Sequence, residues 1–162
     1  MDTDRSPALS IAGEVRAPRA FTKEDLAALP GQIPDVSTRL PGREGRGVEL
    51  STLLAAVGIL PAATHVTVSA DNGSFLASVP LAAVAEAIVI YGVGDEALPK
   101  SAGGPLRFFI PDVARWANAG VDHCANVKRL ETITLTAGPG EDTRPSTRRS
   151  EPVSIRRGDA QP

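Results

Sequence analysis

Short apolar segments, most of them alternating with polar residues, dominate the chain and predict a fold built from brief strands. Residues 64–70 and 74–79 alternate in this way on either side of an Asp-Asn-Gly turn signal, which predicts a β-hairpin. Residues 87–91 are apolar without interruption, so we expect a strand that is buried on both faces. Residues 9–15 predict a further strand with a bulge or bend at Gly13.

Two segments have the spacing of short helices. The first begins around Thr22, a residue that can cap it, and ends at a Pro-Gly pair. Asp25 stands where a capping box needs an acidic residue, although Asp is slightly short for that role. Residues 50–58 place their apolar side chains on one face and end in a glycine. Residues 81–86 and 112–119 predict shorter helical turns.

Ordered structure is expected over residues 8–137 only. Residues 33–40 and 126–135 complete the set of expected strands, the former weakened by Pro34. Beyond them, residues 138–162 are almost free of apolar side chains and rich in Pro, Gly, Ser, Thr and Arg, which predicts a disordered polar tail. The mixture of short strands and short helices predicts an α+β domain.

Composition and charge exclude several classes of function. The net charge of -2 gives no overall field for nucleic acid or an anionic membrane, and no apolar run is long enough to span a bilayer. The tail carries arginine pairs at 148–149 and 156–157, but its acids nearly balance its arginines, so a solvated tail is favoured over a nucleic-acid arm. The N-terminus lacks the apolar core of a signal peptide, so the expected location is the cytoplasm.

The cysteine and histidine content argues against common metal and hydrolytic sites. The single cysteine, Cys124, excludes an internal disulfide and a multi-cysteine metal site. His65, His123 and Cys124 could supply three ligands, but nothing in their spacing favours a metal site. The Ser-His-Asp, Gly-x-Ser-x-Gly and His-Glu-x-x-His patterns do not occur, so the sequence predicts no metal-binding or hydrolytic residues of these kinds.

A predicted strand within residues 103–111 carries the strongest candidate chemistry. Arg107 and Phe109 alternate with apolar residues between a Gly-Gly-Pro start and a proline end. The two glycines permit a close approach of the backbone to a ligand or to another strand. A cation between large apolar side chains needs a partner if it is buried. Arg107 is therefore either an ordinary surface residue or an anion-binding one.

Three further polar residues join Arg107 as candidate site residues. Asn126 and Lys128 come one strand later, and Asp71 lies at the tip of the predicted hairpin. Arg offers a fork of donors, Lys a point charge and Asn both a donor and an acceptor, a set that suits a phosphate or the edge of a pterin ring. The glycine-rich loop 41–47 could also cradle a phosphate, but it lacks the P-loop ending, and a solvated turn is favoured.

Five motifs in the same order make the chain resemble the molybdopterin-binding domain of the sulfite oxidase family over about residues 9–136. They are Phe21-Thr22-x-Glu24-Asp25-Leu26, Gly47-Val48-x-Leu50-x-x-Leu53-Leu54, Phe75-x-Ala77-Ser78-Val79-Pro80-Leu81, Gly103-Gly104-Pro105-Leu106-Arg107 and Val127-Lys128-x-Leu130-x-x-Ile133. The resemblance implies a mixed α+β fold with several small sheets. It also implies that Arg107 and Lys128 contact the pterin and phosphate of the molybdenum cofactor, and that Asn126 and Asp71 lie where the family makes further cofactor contacts.

The chain departs from the family pattern at the metal ligand. Family members ligate molybdenum through a cysteine that follows the first helix, and no cysteine stands between Ile33 and Gly47 here. Ala102 also replaces a histidine that is common in the family. The resemblance therefore implies a degenerate active site. Two functions remain open: a molybdenum-cofactor-dependent oxidoreductase with an electron-transfer or regulatory protein partner, or a non-catalytic ligand-binding or protein-interaction module on the same fold.

Overall fold

The computed structural model describes residues 8–70, 73–94, 96–119, 121 and 126–143. In these residues, two five-stranded sheets and a few short helices form a mixed α+β fold, which confirms the expected class. The strands are β1 (Leu9–Gly13), β2 (Arg19–Phe21), β3 (Gln32–Ile33), β4 (Arg46–Glu49), β5 (His65–Ala70), β6 (Phe75–Pro80), β7 (Ile88–Val93), β8 (Glu96–Ala97), β9 (Arg107–Phe109) and β10 (Leu130–Thr136). The α-helices are α1 (Lys23–Ala28) and α2 (Leu50–Val57), and 3-10 helices span Val36–Thr38, Leu81–Val84, Lys100–Ala102 and Val113–Ala119.

The first sheet has the strand order β2-β1-β10-β5-β6. Its pairs are antiparallel except for β1 and β10, which run parallel with Ile11 opposite Ile133. The predicted hairpin is present as β5 and β6, and its turn falls partly outside the described residues. Gly13 has a φ of 92°, and a Cβ there would overlap the carbonyl oxygen of Leu135. The bulge or bend expected at this glycine is therefore a close approach of β1 to the backbone of its paired strand β10.

Both predicted helices form, and their caps explain where they begin and end. The Thr22 hydroxyl accepts a hydrogen bond from the Asp25 N–H at 3.0 Å, and the Asp25 carboxylate accepts one from the Thr22 N–H at 2.9 Å. The capping box is thus complete, and the expectation that Asp is slightly short for it was wrong. Helix α2 buries Leu50, Leu53, Leu54 and Val57 and ends at a glycine, as predicted.

Two local predictions differ from the structure. Residues 33–40 were expected to form a strand, but pairing with β4 stops at Ile33. Pro34 has no N–H to donate, and the Asp35 carboxylate then caps a 3-10 helix by accepting from the Ser37 N–H at 3.0 Å. Phe21, expected at a helix start, instead ends β2 opposite Leu9.

The second sheet places β7 at its centre. Its order is β3-β4-β7-β8, and β9 pairs with β7 on the edge opposite β4. Side chains of β7 alternate between two cores: Val89 and Tyr91 join the main core, and Ile88 and Ile90 join a smaller one with Phe109. The prediction that this strand is buried on both faces is confirmed. Between β8 and β9 the chain leaves the sheet edge, and this excursion shapes the site described below.

The first residues of the predicted tail bind the outer edge of the first sheet. The Leu76 N–H donates to the Thr143 hydroxyl at 2.9 Å, and the Ser78 N–H donates to the Asp142 carboxylate at 3.0 Å. The Gly140 N–H donates to the Ser78 hydroxyl at 2.9 Å. Residues 138–143 thus satisfy an edge strand that otherwise offers unpaired backbone groups. Residues 144–162 lie outside the described part of the chain, so a disordered tail stays a prediction for them.

A chain that ends at residue 137 is expected to lose about 2 kcal/mol of unfolding free energy relative to one that ends at residue 143. The shorter chain removes the hydrogen bonds to Leu76 and Ser78, and each such bond contributes roughly 0.5–1.5 kcal/mol net. Urea unfolding of both truncated proteins measures the difference, with the full chain as reference. Equal midpoints for all three proteins would contradict a structural role for residues 138–143.

Candidate functional site

Between β8 and β9, where the chain leaves the sheet edge, the Gly-Gly-Pro motif packs against the residues that immediately precede it. The 3-10 helix Lys100–Ala102 ends at Gly103, whose φ is 95° and whose N–H donates to the Lys100 carbonyl at 2.9 Å. The Gly104 N–H donates to the Pro99 carbonyl at 2.9 Å, and a Cβ on Gly104 would overlap the carbonyl oxygen of Leu98. One glycine therefore supplies a left-handed turn and the other a close approach, as the sequence indicated.

Arg107 and Lys128 lie side by side next to this turn. They form an antiparallel β-bridge, and the neighbouring Phe108 N–H donates to the Val127 carbonyl at 2.9 Å. A Cβ on Gly103 would lie 2.8 Å from Cδ of Arg107 and 3.1 Å from Cγ of Lys128. The stems of both cations thus lie close against a bare glycine backbone. The sequence predicted two separate site residues, and the structure brings these two together.

Arg43 is a third cation at this position, and no pattern in the sequence identified it as a site residue. The guanidinium carbon of Arg43 lies 4.9 Å from the centre of the Phe109 ring, and that of Arg107 lies 4.6 Å from it. Partial burial, and then the nearby charge of Arg43, lower the pKa of the Arg107 guanidinium from its usual value. Two like charges on one ring repel each other, so a bound anion would stabilise the pair.

These cations line one open cleft of about 660 Å³, which we name the Arg107 cleft. Its polar lining consists of Arg43, Glu44, Ser101, Arg107 and Lys128. Three cations therefore face one carboxylate. Within the described residues, neither Arg43 nor Lys128 belongs to an ion pair, since the pairs found are Arg19 with Asp25 and Arg39 with Glu49. The cleft is electropositive and suits an anion.

The floor of the Arg107 cleft is apolar. Ile90, Leu98 and Phe109 line it, and all three are buried members of the smaller core. A cleft with an apolar floor and a few convergent cations has the usual character of a site for a planar organic ligand that carries a phosphate.

Asn126 lies further along the same segment and has a structural contact. Its side-chain oxygen accepts a hydrogen bond from the Ile110 N–H at 2.8 Å, beyond the end of β9. This contact fixes the segment that carries Lys128, and a cofactor contact by Asn126 stays a prediction. Asp71, the fourth candidate, lies outside the described residues, as do His123 and Cys124.

A second open cleft, of about 740 Å³, adjoins the first, and we name it the Arg46 cleft. Its polar lining consists of Asp35, Ser37, Arg43, Glu44 and Arg46. Gly42, Arg43 and Glu44 line both clefts, so loop 41–45 is their common wall. The sequence offered this loop as a phosphate cradle or a solvated turn, and only its contact with Phe109 identifies Arg43 as part of a site.

The described residues fit the organic part of a molybdenum cofactor better than its metal. Three cations and an apolar floor suit the phosphate and the ring. No group of three His, Cys, Asp or Glu side chains that could hold a metal ion occurs in the described residues. A soft thiolate ligand is also missing between Ile33 and Gly47, since the single cysteine stands at 124.

Comparison with known proteins agrees with the fold. Among solved structures, the sulfane dehydrogenase SoxCD from Paracoccus pantotrophus superposes with a TM-score of 0.61 at 23% sequence identity. The match covers 84% of this chain and 39% of the SoxCD chain, so this chain corresponds to less than half of that protein's length. No curated protein matches the sequence. At this identity the likeness establishes the fold and carries no activity with it.

The family assignment rests on a match at the level of sequence. The sequence model of the oxidoreductase molybdopterin-binding domain matches residues 44–142, which is more than half of the chain and includes both Arg107 and Lys128. The described helices are all too short or too polar to cross a membrane. The resemblance drawn from the five sequence motifs is confirmed, and the chain belongs to the oxidoreductase molybdopterin-binding domain family.

Proposed function

We propose that the Arg107 cleft binds a phosphorylated pterin, either the molybdenum cofactor or a close relative, through Arg107 and Lys128. The observation that carries the proposal is the grouping of Arg43, Arg107 and Lys128 around one apolar floor. The family match supports the ligand class, because the matched family is named for molybdopterin binding. Asn126 and Asp71 remain proposed cofactor contacts on the strength of the sequence resemblance alone.

Each of the three cations would make a different kind of contact with the phosphate. Arg107 offers a planar fork that can donate two parallel hydrogen bonds to phosphate oxygens, and the half-buried setting strengthens them. Lys128 adds a point charge at the rim. Arg43 lines the same cleft, and its repulsion of Arg107 would be relieved by a bound dianion. The apolar floor of the cleft, to which Phe109 belongs, would contact the planar part of the ligand.

Oxidoreductase activity, if the domain has it, would use the molybdenum that the cofactor carries. The family's cysteine ligand is missing between Ile33 and Gly47, so the chain's own contribution at the cleft is binding and orientation. We therefore propose a degenerate redox site. The sulfane dehydrogenase activity named for SoxCD is not proposed for this chain.

The second candidate function is a non-catalytic ligand-binding or protein-interaction module on the same fold. The missing thiolate favours this second function, because a cleft that takes on a new role can keep its anion-binding residues after the metal ligand is lost. Such a module would present its bound ligand to an electron-transfer or regulatory protein. Metal content distinguishes the two functions: a redox domain carries molybdenum or tungsten, and the module carries a metal-free ligand or none.

Inorganic phosphate is expected to stabilise the wild-type domain and to lose most of that effect in Arg43→Ala. At a phosphate concentration about 100 times Kd, binding raises the unfolding free energy by about 2.7 kcal/mol. Urea unfolding with and without phosphate at constant ionic strength measures the increase. Arg39→Ala is the matched control, since Arg39 pairs with Glu49 at 3.0 Å and lines neither cleft. An equal increase in both variants would indicate general salt stabilisation and contradict the site.

A further inference from the structure

An open apolar groove of about 420 Å³ lies beside helix α2, and we name it the α2 groove. Its apolar lining consists chiefly of Leu54, Ala55, Ile59, Leu81 and Val84. Among the described residues of the lining, a single serine is the one polar side chain. The α2 groove shares no described lining residue with the Arg107 cleft or the Arg46 cleft, so it is a separate surface.

The α2 groove contains the most exposed large apolar side chain of the described part of the chain. Ile59 is 38% exposed, and no other large apolar side chain that the structure describes reaches the same class of exposure. A β-bridge with Val15 fixes the backbone at this position. An apolar concavity that includes an exposed isoleucine is typical of a surface that another polypeptide segment covers.

A smaller pocket of about 160 Å³ adjoins the α2 groove at Ala85, which lines both. Glu86, Asp112, Arg115 and Trp116 also line this pocket. The guanidinium carbon of Arg115 lies 5.3 Å from the centre of the Trp116 ring. Neither carboxylate belongs to an ion pair between described residues. Because two carboxylates stand against one cation, this end of the α2 groove is acidic.

The chain itself contains a segment with the complementary pattern. In residues 144–162, which lie outside the described part, Val153 and Ile155 are the only large aliphatic residues. They stand two positions apart, so an extended backbone would present both side chains on one side. Arg156 and Arg157 follow directly. Two apolar side chains followed by two cations complement an apolar groove with an acidic end.

The chain is long enough to bring this segment to the α2 groove. Thr143 lies at the β6 edge, where its hydroxyl accepts a hydrogen bond from the Leu76 N–H at 2.9 Å. Leu81 of the groove follows Leu76 by five residues, which span at most about 17 Å. Ten residues lead from Thr143 to Val153, and an extended chain of that length spans about 33 Å. A short tether gives a segment a millimolar effective concentration, which favours its own chain over a second copy.

We infer that residues 152–157 bind in the α2 groove of their own chain, with Val153 and Ile155 on the apolar lining and Arg156-Arg157 beside the acidic pocket. Apolar burial supplies the affinity, because exposed ion pairs contribute little. The charges set the direction in which the segment lies. A short docked segment is compatible with a tail that is predicted to be disordered, since such segments become ordered where they bind. The inference does not depend on the proposed function.

Methyl NMR of the full chain tests the inference first from the side of the groove. Ala55 and Ala56 are both exposed on α2, and of the two Ala55 alone lines the groove. Ala55→Glu places a charge in the apolar lining, so the Val153 and Ile155 methyl resonances should shift to the positions they have in a synthetic peptide of residues 144–162. Ala56→Glu is the matched control and should leave both resonances at their wild-type positions.

The reverse experiment changes the segment and observes the groove. Val153→Ser combined with Ile155→Ser should shift the Ile59 methyl resonances, because the segment no longer covers that side chain. Ala160→Ser changes an apolar residue of the same tail outside the segment and should leave the Ile59 resonances in place. The Ile90 methyl resonances report on the Arg107 cleft and should stay at their wild-type positions in every variant, which shows that the fold is intact.

Three results would overturn the inference. The first is a wild-type chain whose Val153 and Ile155 methyl resonances already have the positions of the synthetic peptide. The second is an equal displacement of these resonances by Ala55→Glu and Ala56→Glu. The third is a set of wild-type resonance positions that depends on protein concentration, because the segment of one chain would then bind the groove of another. Positions that are independent of concentration and sensitive to Ala55→Glu alone support the contact within one chain.

Discussion

Arg107→Ala is expected to weaken binding of a phosphorylated pterin by about 30-fold, or about 2 kcal/mol. The substitution removes the fork of donors whose carbon lies 4.6 Å from the centre of the Phe109 ring and leaves Arg43 and Lys128 as the remaining cations of the cleft. The unfolding free energy should change by less than about 1 kcal/mol, because the loss of one cation–π contact is offset by relief of repulsion from Arg43. Calorimetric titration and urea unfolding of the same preparation separate the two effects.

Two companion variants make this result specific. Arg107→Lys keeps the charge but not the planar fork, so its affinity should lie between those of the wild type and Arg107→Ala. Arg39→Ala removes one positive charge from outside both clefts and should bind like the wild type. If Arg107→Ala binds the ligand as tightly as Arg39→Ala does, Arg107 has no part in the site.

Gly104→Ala is expected to destabilise the domain by roughly 3 kcal/mol or more. A Cβ at this position would overlap the Leu98 carbonyl oxygen and lie 2.9 Å from that of Pro99, and both are backbone atoms of the excursion that leads into β9. The backbone can relieve the overlap only by moving away from its hydrogen bonds, which places the change among the strongly destabilising ones. The urea midpoint measures the loss.

Gly73→Ala provides the control for Gly104→Ala. Gly73 has a φ of 86°, but a Cβ there meets nothing within 4 Å. Its substitution should therefore cost only the strain of a left-handed conformation, about 1 kcal/mol. Equal losses for the two variants would mean that the close approach of Gly104 to Leu98 does not support the fold.

Local patterns in the sequence predicted those elements whose own residues decide their structure. The β5–β6 hairpin, the apolar face of α2 and the doubly buried strand β7 all form as expected. The capping residue Thr22 also follows from local chemistry. In each case the side-chain period and the flanking turn residues carry enough information to specify the element.

Elements that depend on distant partners were missed. Strand β2 forms because Arg19–Phe21 pairs with β1. Strand β3 has only two residues because its pairing with β4 ends at the residue before Pro34. Neither segment has a periodic pattern of its own. Tertiary pairing decides such short strands, so their existence could not be read from the residues alone.

For the same reason, only some residues of the candidate site could be predicted from the sequence. Arg107 and Lys128 stand in motifs that the family resemblance identifies, and the structure places them side by side. Arg43 belongs to a glycine-rich loop whose composition fits a solvated turn equally well, and its role depends on contact with Phe109, a residue far along the chain. Glu44 was hidden in the same way, because only the folded loop shows that it faces two clefts.

The most direct test of the central claim is the pterin content of the domain after purification from a host that makes the molybdenum cofactor. Oxidation of the released ligand should give about one equivalent of pterin fluorescence per wild-type chain and much less for Arg107→Ala. Molybdenum and tungsten analysis of the same samples shows whether the pterin carries a metal, which separates the redox domain from the binding module. A wild-type protein that contains no pterin, or an Arg107→Ala variant that retains all of it, would contradict the account.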